Sequence, residues 1–143
     1  SDKRVEMKTI VELLPFLYNC VVLDLSKNNI TYDDAVLLSS VLATKANITY
    51  LYMENNDMDA PTFELIANAI SNLDKLEHLK VSNNRIGSDG VKALADVILR
   101  LPKLRFLDFR QNQAEDSSEQ EIAEVAYSMT NLKYVYSDTF TKH

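Results

Sequence analysis

Apolar residues recur along the chain with a period of 28 residues. In the best-formed copy, Leu76, Leu79, Val81 and Ile86 are apolar, and Asn84 is the polar residue kept in the frame. The other copies read Cys20, Leu23, Leu25, Asn28, Ile30; Ile48, Leu51, Met53, Asn56, Met58; and Leu104, Leu107, Phe109, Asn112, Ala114. Four copies without an insertion indicate a repeat protein whose units share one local structure.

Each unit contains two periodicities. Apolar and polar residues first alternate, which is typical of a strand with one buried face. Apolar residues then recur every three or four positions, which predicts a helix packed on that strand. The expected strands centre on Leu23–Leu25, Leu51–Met53, Leu79–Val81 and Leu107–Phe109. The expected helix starts are Thr31 or Tyr32 as a cap, Pro61 in a first turn, Ser88 as a cap, and a capping box of Ser117 and Gln120.

Both ends of the chain depart from the frame. Residues 4–17 have helical spacing but no preceding strand, which predicts a capping helix or part of a repeat. After Leu132 the asparagine position falls on Phe140, which predicts a closing strand. We therefore expect one domain over residues 1–143, divided into a capping or partial-repeat helix at 4–19, four repeats at 20–131, and a terminal strand and cap at 132–143.

The first predicted strand, around Val21–Leu25, has no strand before it in the sequence. A bare parallel edge exposes N–H and C=O groups, and this edge lacks the lysine or proline that often protects one. The first residues could cover it, a second copy could pair with it, or the repeats could continue upstream. We expect a fragment of a longer repeat protein or weak self-association, and we favour the fragment.

The recurrent asparagines Asn28, Asn56, Asn84 and Asn112 stand where the chain leaves each strand. A sharp turn there leaves backbone groups without partners in a helix or a sheet, and a stacked amide can satisfy them. A ligand site is the alternative interpretation, and we favour the structural one.

The 28-residue period, and the segment Asn84–Ala95 in particular, resembles the ribonuclease-inhibitor type of leucine-rich repeat. That group includes ribonuclease inhibitor, the Ran GTPase-activating protein, tropomodulin-like actin regulators and the sensor domains of immune receptors. The resemblance implies an α/β solenoid in a short horseshoe arc, with a parallel sheet on the concave face and helices on the convex face. It also implies protein binding, without choosing the partner.

Composition narrows the class of function. The 143 residues are 46% hydrophobic with two glycines and three prolines, so a substantial core is expected. A net charge of -6 argues against nucleic-acid binding, which requires a basic surface. No apolar run is long enough to cross a membrane, and no signal peptide is visible at the N-terminus. Because Cys20 is the single cysteine, we expect no disulfide framework and a cytoplasmic protein.

No catalytic, cofactor-binding or metal-binding constellation is visible. His78 and His143 lack metal-ligand spacing, and Cys20 stands at a core position where a buried thiol is expected. The carboxylates within Glu115–Glu121 could hold a cation, but a solvated helix start fits them better. We therefore expect a protein that is not an enzyme.

Side chains between the buried leucines should lie on the sheet face away from the helices. There, aromatic residues form columns bordered by mixed charge, which is typical of a binding hot spot. Simple stacking of strand-favouring aromatics is the alternative. The predicted partner-binding residues are Tyr50, Tyr52, His78, Lys80, Phe106, Asp108, Arg110, Tyr134 and Tyr136.

We therefore predict a non-catalytic module that binds a partner protein through the concave strand face. The alternatives are a GTPase regulator and an actin or cytoskeletal adaptor, both drawn from the resemblance. No cofactor, nucleic-acid partner or membrane insertion is expected.

Overall fold

The computed structural model of the chain describes residues 7–16 and 19–143. The strands are β1 Val22–Asp24, β2 Tyr50–Tyr52, β3 His78–Lys80, β4 Phe106–Asp108, β5 Tyr134–Tyr136 and β6 Thr141–Lys142. The α-helices are α1 Met7–Leu13, α2 Tyr32–Leu42, α3 Ala60–Ile70, α4 Gly87–Ile98 and α5 Asp116–Ser128, and a 3-10 turn at Leu14–Phe16 follows α1. Strands and helices therefore alternate as the repeat pattern predicts. The helix expected at 4–17 is confirmed where it is described, and residues 4–6 and 17 lie outside the described ranges.

The strands form one sheet in chain order, and β1 to β5 are parallel. The register is constant, because Leu23 pairs with Leu51, Leu51 with Leu79, and Leu79 with Leu107. Each helix packs against the next one along the chain. The result is a two-layer α/β solenoid, which confirms the predicted fold class.

The strands begin one residue earlier than expected. The backbone ladder nevertheless continues past their ends: the Leu25 N–H donates to the Tyr52 carbonyl at 2.8 Å, and the Met53 N–H donates to the Lys80 carbonyl at 2.8 Å. The residues predicted at the strand centres therefore do belong to the sheet.

The recurrent apolar residues fill the space between the layers. Leu51, Leu79 and Leu107 are fully buried, and β5 contributes Val135 at the same position. Cys20 differs from expectation, since it is half-buried at the edge of this core. Its partial burial raises the pKa of the thiol, and the charge of Lys45 opposes that shift. No helix in the described residues is long and apolar enough to cross a membrane.

The first two repeat helices are capped by their own sequence. The Thr31 hydroxyl accepts from the Asp34 N–H at 3.2 Å, and the Asp34 carboxylate accepts from the Thr31 N–H at 3.0 Å, which completes a capping box. In α3, Asp59 accepts from the Thr62 N–H at 3.1 Å, and Pro61 lies in the first turn as predicted.

The capping predictions for the last two repeats are wrong. Helix α4 begins at Gly87, and the Ser88 hydroxyl instead accepts from the Glu115 N–H of the next repeat at 2.9 Å. Helix α5 begins at Asp116, so Ser117 lies inside the helix and the expected box with Gln120 does not form. These two starts depend on contacts between repeats, which a local motif does not contain.

The C-terminal residues close one end of the stack. After the predicted strand β5, β6 turns back and pairs with it in the antiparallel direction. The Lys142 ammonium donates to the carbonyls of Ala126 at 2.8 Å and Met129 at 2.9 Å at the end of α5, where carbonyls lack helical partners. Glu119 is buried rather than solvated, and it accepts from the Asp138 N–H at 3.2 Å. The acidic helix start therefore includes a residue that holds the cap in place.

Candidate functional site

The recurrent asparagines form a ladder inside the turns, buried at Asn56, Asn84 and Asn112 and half-buried at Asn28. The Asn84 carbonyl oxygen accepts from the backbone N–H groups of Asn56 and Met58, both at 3.0 Å. The Asn84 amide nitrogen donates to the carbonyls of Val81 at 2.9 Å and Met53 at 3.0 Å. Asn84 is 4% exposed, and its hydrogen bonds join two repeats. The predicted structural role of these side chains is confirmed.

A second ladder lies on the sheet face opposite the helices, which we call the open face. In the strand register, Tyr50 is beside His78, His78 beside Phe106, and Phe106 beside Tyr134. The ring centres of Tyr50 and His78 are 4.7 Å apart, and those of His78 and Phe106 are 5.2 Å apart with an interplanar angle of 12°. We call this set, together with Tyr52 and Tyr136, the ring ladder.

The ring ladder is partly covered by its own members. Tyr134 is 37% exposed, and the other five rings are half-buried. The Phe106 ring centre lies 6.5 Å from that of Tyr134 and 5.5 Å from that of Tyr136. These separations are those of ordinary aromatic pairs, so part of each ring contacts its neighbours and part remains exposed.

Cationic side chains lie against the rings. The Lys80 ammonium is 5.1 Å from the Tyr52 ring centre and 5.5 Å from that of Phe106. The Arg105 guanidinium is 5.9 Å from the Tyr134 ring centre. These are cation–π distances. Arg105 precedes strand β4 and lies outside the columns that the sequence pattern assigns to the open face. Arg105 stands 28 residues after Glu77, directly before a strand in each case, and this repeat position could have indicated it.

Asp108 was expected to be exposed on the open face, but it is only 5% exposed. Its carboxylate accepts from Nη2 of Arg110 at 2.7 Å and from Nε at 3.1 Å. Arg110 in turn lies 5.3 Å from the Tyr136 ring centre. The hydrogen bond from Arg110 and the charge of Asp108 raise the pKa of the guanidinium. Asp108 therefore acts by positioning Arg110 beside the ring ladder.

The imidazole of His78 lies at the middle of the ring ladder. Burial is the largest cause of its lowered pKa; the positive charges of Lys80 and Arg105 add to the effect, and Glu77 opposes it. Lowering from the ordinary value of 6.5 leaves the ring neutral at pH 7. A neutral imidazole stacks on Phe106 without adding a positive charge near Lys80 and Arg105.

The helix layer offers a different kind of concavity. A groove of about 260 Å³ between α3 and α4 is lined mainly by polar and small side chains, with Glu64, Asn68, Asp96 and Arg100 as its polar residues. Across the described residues, no group of three or more histidine, cysteine, aspartate or glutamate side chains is arranged to hold a metal ion.

Comparison with known proteins agrees with this architecture. A sequence model of the leucine-rich repeat family matches residues 21–39 and 73–95. No curated protein sequence matches the chain. Among solved structures, the chain is similar to leiomodin-1 actin-binding site 2, with a TM-score of 0.80 and 17% identity over 94% of this chain and 80% of that one. At that identity the likeness shows the fold. The chain has the α/β fold of a leucine-rich repeat solenoid.

Proposed function

We propose that this leucine-rich repeat protein is an interaction module that binds a partner protein through its open face. The observation that carries the proposal is the ring ladder, which runs across β2 to β5 and is bordered by Lys80, Arg105 and Arg110. Aromatic and arginine side chains dominate the energetics of protein interfaces. The predicted partner-binding residues belong to this proposal, with Arg105 added and Asp108 acting through Arg110.

Stacking for stability alone is the competing explanation. It accounts for rings that contact each other but does not require three cationic side chains to lie against them. The ring ladder is also half-exposed, so its apolar surface is only partly used within the chain. Both features support binding over a purely internal role.

The repeat subtype and location form part of the same proposal. We assign the repeats to the ribonuclease-inhibitor type, which the 28-residue spacing and the helices of 11 to 13 residues after β1 to β4 support. We place the protein in the cytoplasm, since its single cysteine provides no disulfide framework. We treat residues 1–143 as one domain with the predicted divisions.

Affinity capture with quantitative mass spectrometry tests the main proposal. The bait is the intact chain, compared with a Phe106→Ala, Tyr134→Ala double variant. Leu99→Ala is the matched control, because Leu99 is an exposed apolar residue just beyond α4. We expect the double variant to lose partners that Leu99→Ala retains. Equal capture by all three folded baits would contradict the proposal.

Actin is a specific second candidate. The likeness to a solved domain whose name describes an actin-binding site favours testing it first. Co-sedimentation with filaments and a binding titration with monomeric actin should both be performed, using the same three chains. Actin binding that the open-face double variant abolishes would unite the two proposals, and binding that the variant leaves unchanged would move actin to another surface.

A further inference from the structure

Lys80 occupies the centre of the open face. It lies on β3, the middle of the five parallel strands, and its ammonium group lies against the rings of Tyr52 and Phe106. The side chain is half-buried. Within residues 7–16 and 19–143 this ammonium group forms no ion pair and no hydrogen bond. A central cation with both sides covered by rings therefore keeps its hydrogen-bond donors available.

The carboxylate that could neutralise Lys80 is bound to another cation. Lys80 is paired with Asp108 in the strand register, so the two side chains are cross-strand neighbours. Both carboxylate oxygens of Asp108 instead accept hydrogen bonds from the guanidinium of Arg110, two residues later in the sequence. A two-point contact between a guanidinium and a carboxylate is stronger than one from an ammonium, so Arg110 wins this competition. Lys80 is left as a prepared anion site.

Charge is also divided along the sheet. Towards the N-terminal end, the acidic side chains Asp24 in β1 and Glu54 after β2 have no basic counterpart on β1 or β2. The cationic side chains Lys80, Arg105 and Arg110 border the rings from β3 towards the C-terminal end. Asp108 neutralises Arg110, and Glu77 is level with Arg105 in the strand register, so Lys80 remains as the cation without an opposing carboxylate. An anionic group is therefore attracted to Lys80 on β3 and repelled by Asp24 and Glu54 at the β1–β2 end of the open face.

We propose that the open face recognises a protein segment that presents a carboxylate next to an aromatic or aliphatic side chain. The carboxylate binds the Lys80 ammonium on the side nearer Arg105, and the apolar side chain packs on the rings of His78 and Phe106. This inference rests on the proposed binding function and adds the chemistry and direction of the partner. The acidic β1–β2 end of the face sets the direction, because it repels a segment bound in the reverse orientation.

Display selection against the folded chain tests this inference. The probes are peptide pools of equal length and fixed composition: aromatic with acidic residues, aromatic with basic residues, aromatic with neutral polar residues, and acidic without aromatic residues. The baits are the natural chain, Lys80→Gln, Lys80→Arg and Phe106→Ala. Lys92→Gln is the matched control, because Lys92 is an exposed lysine on α4. Thermal melts establish that every bait is folded.

We expect the aromatic–acidic pool to be enriched on the natural chain and on Lys92→Gln. The best peptide should bind Lys80→Gln at least about tenfold more weakly in a fluorescence anisotropy titration, as expected for losing a charge-assisted bond. Lys80→Arg should retain most of the affinity, and the preference for acidic peptides should weaken as salt rises.

The possible results distinguish failure of the inference about Lys80 from failure of the proposed binding function. Equal enrichment of the neutral and acidic aromatic pools, or enrichment of the basic pool, would overturn the inference about Lys80 while preserving binding by the ring ladder. Equal affinity of the best acidic peptide for the natural chain and Lys80→Gln would also overturn it. If no pool is enriched on the natural chain above Phe106→Ala, both the inference and the proposed function fail.

Discussion

Two ladders of side chains run along the same stack of repeats, and their side chains differ in burial and in hydrogen bonding. The asparagine ladder lies inside the turns, where the amides of Asn56, Asn84 and Asn112 bond their own repeat and its neighbour. The ring ladder lies on the open face, where the centres of neighbouring rings are 4.7 to 6.5 Å apart and cationic side chains lie beside them. Both follow the 28-residue register. Periodicity alone therefore does not separate a structural column from a recognition column.

Hydrogen-bond saturation and burial do separate them. Asn84 is 4% exposed and its amide uses both its oxygen and its nitrogen. A group satisfied in this way has nothing left to offer a ligand, and removing it leaves backbone groups without partners. Lys80 lies beside half-exposed rings and keeps its donors. The first ladder should therefore respond to mutation in stability and the second in affinity.

Asn84→Ala should produce the largest effect. It leaves the N–H groups of Asn56 and Met58 and the carbonyls of Val81 and Met53 without side-chain partners in a buried turn. We expect a loss of about 3 kcal/mol in the free energy of unfolding, measured by urea titration. A loss below about 1 kcal/mol would show that water replaces the amide and would weaken the contrast between the ladders.

Phe106→Ala tests the ring ladder by the opposite criterion. We expect partner affinity to fall by about 2 kcal/mol, because a central aromatic anchor is removed. The free energy of unfolding should fall by less than about 1 kcal/mol, since the ring is half-buried on the sheet surface. Paired isothermal titration and urea unfolding measure the two quantities. An unfolded variant would place Phe106 in the structural core and reverse our assignment.

Asn28→Ala sharpens the comparison inside the asparagine ladder. Asn28 is half-buried, and its amide donates within its own turn to the carbonyls of Leu25 at 2.9 Å and Ser26 at 3.0 Å. We expect a destabilisation of about 1 kcal/mol, because water can reach the groups it leaves. The same urea titration that measures Asn84→Ala gives this value. Equal losses at both positions would mean that bonds between repeats add nothing to the ladder.

His78 should give the smallest effect. Its folded-state pKa is lowered, chiefly by burial, so the unfolded chain takes up a proton first as the pH falls. The contribution of His78 to stability is therefore fully present well above pH 6.5 and is lost as the pH falls through the folded-state pKa, and solvent screening keeps the change small. Glu77, Lys80 and Arg105 are the charged groups acting on the imidazole. The measurement is the difference in pH dependence of unfolding between the natural chain and His78→Gln, with His143→Gln as the control.

The register could be predicted from the sequence because the same physical requirement recurs in every repeat. Leu79 and Asn84 each have counterparts 28 residues away, and each repetition strengthens the assignment. The Asp108–Arg110 pair could not be predicted from the columns, which place Lys80 opposite Asp108. Choosing between the two cations depends on guanidinium geometry and burial. The prediction of the start of α4 was wrong for a similar reason. Gly87 adopts a φ of 62°, and the Ser88 hydroxyl accepts a hydrogen bond from the next repeat instead of capping its own helix.

The constant strand register also makes the length of the protein adjustable in whole units. Duplicating residues 76–103 would add one strand and one helix with neighbours of the same kind on each side, and it would leave the terminal segments untouched. Duplication at the C-terminal end would instead have to remove β6, which turns against β5 and occupies the edge that another parallel strand would need. Growth of this architecture by gene duplication is therefore open in the interior and closed at that end.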